Sequence, residues 1–244
     1  MSDPKPGPGG QAAVPRLLLL RHGIVASHQG DVPVTEQGLA NAAEFGRMLG
    51  KQSTGPLLVF SAETRRTRET AGAIAAGARA AGAIVQGPSV AVALRNPDLY
   101  LAGERVDMVS TALALAAQVP GMSAEAAASV PFFAGFLAAP DRVGWWLRHP
   151  DPPGDDAHAV LRRIMAYARS LGDLGAHGPQ LTVGITHSPV LRACALAAGR
   201  QDPGEPEWLT GLEALIHPGR PVQLRGWPPA AGADAVNDAP CTAE

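Results

Sequence analysis

The chain has 244 residues, with 20 Lys+Arg against 22 Asp+Glu and a formal net charge of −2, which excludes the strongly basic footprint of a nucleic-acid binder. Its length suits one large domain or two small ones, long enough to fold on a core of its own. Two cysteines, Cys194 and Cys241, are too few and too far apart for a disulfide framework or a CxxC zinc site. The 28 glycines and 23 prolines stay under the ~25–30% of low-complexity chains, so a loop-rich globular protein is expected.

Taken in chain order, residues 1–14 are Pro/Gly-rich without periodicity and read as a flexible leader. They lack the ~7–15-residue apolar core of a signal peptide. The uncharged apolar stretch Ala126–Pro140 is shorter than the ~20 residues of a membrane span. A soluble, cytoplasmic protein follows as the expectation. Leu17–Leu20 is a fully apolar run, as in a strand buried on both faces, and it ends in Arg21-His22-Gly23. Thr35 is placed to cap a helix whose apolar face carries Leu39, Ala42, Ala43, Gly46 and Leu49. A second buried strand is expected at Leu57–Phe60, a helix over about 64–81, and a short strand around Ile84–Val85. The pattern then predicts a helix near Glu104–Gln118 and an irregular, mostly helical insertion over 121–150. The aromatics of that insertion are expected to form its own core.

Asp155 or Asp156 caps a further helix with Val160, Leu161, Ile164 and Ala168 on one face. Leu181–Ile185 is a third buried strand, followed by Thr186-His187-Ser188-Pro189 and a helix to about Ala198, with Pro189 in its first turn. Glu213–His217 and Pro221–Arg225 flank Pro218-Gly219 as a closing hairpin, and residues 228–244 read as a disordered tail. Alternating strands and helices imply an α/β protein, a three-layer α/β/α sandwich around a mainly parallel sheet with a helical insertion at about 96–150. The domain is placed at 15–227.

Three of the apolar strands end in related chemistry: Arg21-His22, Ser61 followed by Arg65-Arg66-Thr67-Arg68, and Thr186-His187-Ser188. In such sheets ligands bind beyond the carboxyl ends of the strands. Two imidazoles and at least two guanidiniums would therefore meet at one edge. A guanidinium fork matches phosphate, an imidazole can attack phosphorus, and the helix starting near Pro189 offers its N–H groups to an anion. One such residue alone is commonly structural; the three strand ends together carry the reading.

These residues resemble the histidine phosphatase superfamily, which includes the phosphoglycerate mutases. Leu17–Gly23 is similar to its apolar strand followed by Arg-His-Gly. Asp31-Val-Pro-Val-Thr-Glu-Gln-Gly38, Ser61-Ala-Glu-Thr-Arg-Arg-Thr-Arg-Glu-Thr-Ala71, Gly154-Asp-Asp and Ile185-Thr-His-Ser-Pro-Val-Leu-Arg192 resemble its later segments in the same order. The resemblance implies a phosphoglycerate mutase-like fold and a phosphohistidine at His22. It makes Arg21, Arg66 and His187 phosphoryl-binding residues, with Ser188 and, where the family commonly has Asn, His28 as further candidates. The family's general-acid Glu stands in a Leu-x-Glu; here Leu94-Arg95-Asn96 puts an amide there, so Asp98, and after it Glu104, become the candidate acids.

The expected activity is a phosphohydrolase acting on a phosphorylated small molecule or a phosphoprotein, with no metal and no cofactor implied. The alternatives are a mutase-type phosphotransferase and a catalytically weak phosphate-binding module.

Overall fold

The computed structural model describes residues 14–27, 30–173 and 178–229. Most of the expected leader and tail lie outside these, as do His28, His177 and Cys241. Six strands form one sheet in the order β3-β2-β6-β1-β7-β8: β1 (Arg16–Arg21), β2 (Leu57–Ser61), β3 (Val85–Val90), β6 (Leu181–Thr186), β7 (Gly211–Leu215) and β8 (Gln223–Trp227). The first, second, third and sixth strands are mutually parallel, and β7 and β8 add an antiparallel edge.

The apolar run of β1 is buried on both faces because successive side chains alternate. Leu17 and Leu19 enter a cluster with Val160, Leu161, Ile164, Val190 and Leu191, from α7 (Ala157–Gly172) and α8 (Ser188–Ala197). Leu18 and Leu20 enter another with Ala42, Leu49, Ala71 and Ile74, from α1 (Glu36–Gln52) and α2 (Arg65–Ala80). Three layers result. Thr35 caps α1 by accepting from the Gly38 N–H at 3.0 Å, and Asp156 rather than Asp155 caps α7 at 2.7 Å from Ala159 N.

Two expectations need correction between residues 84 and 118. The strand expected around Ile84–Val85 runs on to Val90 along β2. The helix expected over Glu104–Gln118 is reduced to α3 (Ala112–Ala116), which Thr111 caps. Residues Glu104–Val106 instead form β5, antiparallel to β4 (Leu99–Leu101), because Ala102 and Gly103 take positive φ of 51° and 86° and turn the chain back. The insertion continues as α4 (Ala124–Ser129), α5 (Pro131–Ala138) and α6 (Arg142–Arg148), and its Phe132, Phe133, Phe136 and Trp146 are buried. No helix among the described residues is long and apolar enough to cross a membrane.

Candidate active site

The parallel strands β1, β2 and β6 end side by side, and each end is tied by local hydrogen bonds. The backbone N–H of His22 donates to Thr186 O at 3.1 Å, and that of Gly23 to Thr70 Oγ1 at 2.9 Å. Thr70 in turn donates to Arg66 O at 2.7 Å, so the first strand end is fixed against the start of α2. His22, Arg21, Arg66 and His187 consequently line one cavity of about 470 Å³, joined by Asn96, Ser188 and residues of the helical insertion such as Phe136 and Val143.

His22 is 3% exposed, and its Nδ1 lies 2.9 Å from Gly23 O. A carbonyl oxygen only accepts, so Nδ1 carries the proton and the lone pair sits on Nε2. His187, the residue at the start of α8, places its ring 5.6 Å from that of His22. Burial first, and then the charges of Arg66, His22 and Arg21, hold His187 well below its ordinary value of 6.5, so it is neutral at pH 7.

Arg21 reaches Glu205 at 2.6 Å and Pro206 O at 2.5 Å, and its guanidinium lies 3.6 Å from the Trp208 ring centre. Burial lowers the proton affinity of both Arg21 and Arg66. The Nε of each is buried and has no hydrogen-bond partner among the described residues. Two buried guanidinium donors without an acceptor are what an oxyanion would satisfy. Arg65, by contrast, is exposed and pairs with Glu69 at 2.6 Å.

Ser188 lines the cavity, with its Oγ donating to Glu205 at 2.5 Å. His28 lies outside the described residues. Asp98 does not fit the acid's role. Hydrogen bonds from Arg95, and then from Arg105 at 2.5 Å, hold its carboxyl down to about 2, so it has no proton to give near neutral pH, and it is not among the residues facing the cavity. Glu104 is exposed in β5.

Sequence reasoning missed Glu205 and Trp208, which come from the aperiodic connection between α8 and β7. It also missed the structural task of Arg192. That side chain is 1% exposed and holds Asp141, the cap of α6, at 2.7–2.8 Å and Asp202 at 2.6–2.8 Å. A second cavity of about 340 Å³ shares Arg66, Met108 and Val109 with the first and carries Asp31, Glu63 and Asp107; burial pushes the Asp107 carboxyl up.

Residues 17–86, from β1 into β3, match the family model of the histidine phosphatase superfamily (branch 1). No curated protein matches the chain. Among solved structures, mycobacterial hydrolase 1 superposes with a TM-score of 0.55 at 20% identity, over 89% of this chain and 99% of its own. A mycobacterial glucosyl-3-phosphoglycerate phosphatase gives 0.54 at 20% identity, over 89% and 100%. Mycobacterial hydrolase 2 gives 0.52 at 22%, over 92% and 94%. These likenesses show a shared fold, and the family expected from the motifs is the family matched.

Proposed function

We propose that this chain, whose residues 17–86 are those of the histidine phosphatase superfamily, is a phosphohydrolase that carries the phosphoryl group on His22 before passing it to water. The observation that carries the reading is the convergence of Arg21, His22, Arg66 and His187 on one cavity at the strand ends. The Nε2 lone pair of His22 attacks phosphorus, while its Nδ1–H, anchored on Gly23 O, holds the ring in the required tautomer. Arg21 and Arg66 present buried donors to the phosphoryl oxygens, where charge spreads in the transition state. His187, neutral and buried, donates or accepts one hydrogen bond without adding charge. The substrate is a phosphorylated small molecule or phosphoprotein.

Acid–base lability of a trapped phosphoenzyme tests this. Protein quenched during turnover of 4-nitrophenyl phosphate should hold acid-labile, base-stable phosphate. His22→Ala should remove both the label and the turnover, whereas label that persists in the variant would assign the nucleophile elsewhere.

A further inference from the structure

The cavity holds one buried group that the steps above leave unused. Asn96 is 6% exposed and lines the cavity with His22, Arg66 and His187, and its Oδ1 has no hydrogen-bond donor among the described residues. A buried acceptor without a donor is destabilising and points to a donor that arrives with the ligand. The segment that carries it is firmly held. Arg163 donates to the carbonyls of Ala93, Arg95 and Asn96 at 3.2, 2.9 and 3.4 Å, and Thr186 Oγ1 donates to Leu94 O at 2.6 Å.

The carboxylates among the described residues lining this cavity are Asp141 and Glu205, and each is taken by an arginine: Asp141 by Arg192 at 2.7 Å, Glu205 by Arg21 at 2.6 Å. The Arg192 hydrogen bonds hold the Asp141 carboxyl down to about 2, which makes it a poor proton donor, and Glu205 already accepts from both Arg21 and Ser188.

We propose that Asn96 meets the reacting oxygens as a hydrogen-bond acceptor with no proton to give, and that the substrates are therefore phosphates whose leaving group departs as a stable anion: acyl, enol or aryl phosphates rather than alkyl esters. This rests on the phosphohydrolase reading and narrows it.

The chemistry balances without a side-chain acid. In the first half, Nε2 of His22 forms the N–P bond, and the P–O bond breaks with its electron pair leaving on the carboxylate, enolate or phenolate. His22 keeps the Nδ1 proton that it donates to Gly23 O. In the second half, a water oxygen forms the new P–O bond, and the N–P pair returns to Nε2. Both water protons leave with the product as dihydrogen phosphate. Oδ1 of Asn96 accepts from that water and turns its lone pair toward phosphorus. An alkoxide leaving group would demand a proton that neither carboxylate among the described residues lining this cavity is free to give.

The test compares acetyl phosphate, 4-nitrophenyl phosphate and ethyl phosphate on the full chain, and follows Asn96→Leu through a burst experiment. The wild type should turn over acetyl and 4-nitrophenyl phosphate with kcat/KM about 10²–10⁴-fold above that for ethyl phosphate, the usual worth of a general acid. Asn96→Leu should keep its burst of 4-nitrophenolate while steady-state turnover falls about 10–100-fold, as expected for one hydrogen bond to a reacting group. Phosphoenzyme should then accumulate. A merely structural role would lower burst and steady state together, and that result overturns the assignment of Asn96, as would an unchanged variant. Comparable kcat/KM for all three substrates in the wild type overturns the leaving-group inference and leaves the hydrolase reading standing. Turnover of none, with no phosphoenzyme, overturns the hydrolase reading and the inference with it.

Discussion

The side chain of His187 is held far from its behaviour in water. It is buried beside Arg66, His22 and Arg21, and its proton affinity is depressed in the fold. The unfolded chain therefore binds more protons than the native one as pH falls below about 6.5, so the contribution of this group to stability is complete above that value and is lost on acidification. Urea midpoints measured at pH 7.5 and 5.5 should show it. The wild type should lose stability on acidification faster than His187→Asn, by up to about 1.4 kcal/mol per pH unit. Equal slopes would mean that His187 titrates freely in the fold. Arg21-His22 and His187 were legible because a strand end needs only the period of an apolar run, whereas Arg66, five residues past the end of β2, was singled out from Arg65 by resemblance to the family motif. The fate of Asp98 was not legible. It depends on Arg105, brought to 2.5 Å by the β4–β5 hairpin, and no periodicity announces a hairpin turned by Ala102-Gly103.

Between elements, the tightest joint is that of α1 with α2. A Cβ added at Gly77 would lie 1.9 Å from Ala43 O, and one at Gly46 would lie 2.1 Å from Ile74 O, so the two helices meet backbone against backbone. Gly72, in the same helix as Gly77, has nothing within 4 Å of its would-be Cβ. Alanine should separate the two positions in opposite directions. Gly77→Ala forces the helices apart and should cost about 1–3 kcal/mol. Gly72→Ala should gain roughly 0.5–1 kcal/mol from helix propensity alone. Denaturant midpoints of the two variants give the comparison, and a neutral Gly77→Ala would show that the joint has slack. That both segments are helical could be read from the sequence, the first from its Thr35 cap and apolar face; that their glycines face each other could not, since it depends on where the partner helix lies.

For the whole molecule, Arg192 joins three parts that are distant in sequence: α8, the cap residue Asp141 of the inserted helices, and Asp202 in the connection leading to β7. It is buried while Asp141 is half exposed, so the network is worth less than a fully buried pair. Arg192→Met should cost roughly 1–3 kcal/mol and expose α6 to proteolysis before the sheet. The pairing with Arg192 lowers the Asp141 carboxyl to about 2, so its share of stability is present above about pH 4 and fades as pH falls through 2. A protease-resistance profile of the variant indistinguishable from the wild type would remove the clamp. At this scale the layered α/β plan followed from alternating strands and helices. The clamp did not, because Arg192 sits in an apolar helical stretch and its two partners lie 51 and 10 residues away.

The guanidinium of Arg21 stacked 3.6 Å from Trp208, with the His22 ring 5.3 Å from the same indole, gives the protein an optical sense of its own chemistry. Indole emission responds to the charge and position of a cation over its face. The other tryptophans lie in α6 and at the far edge of the sheet in β8. An anion that draws Arg21 toward itself should therefore alter the emission of one fluorophore out of four, and titration with inorganic phosphate would record its arrival in the protein's own light.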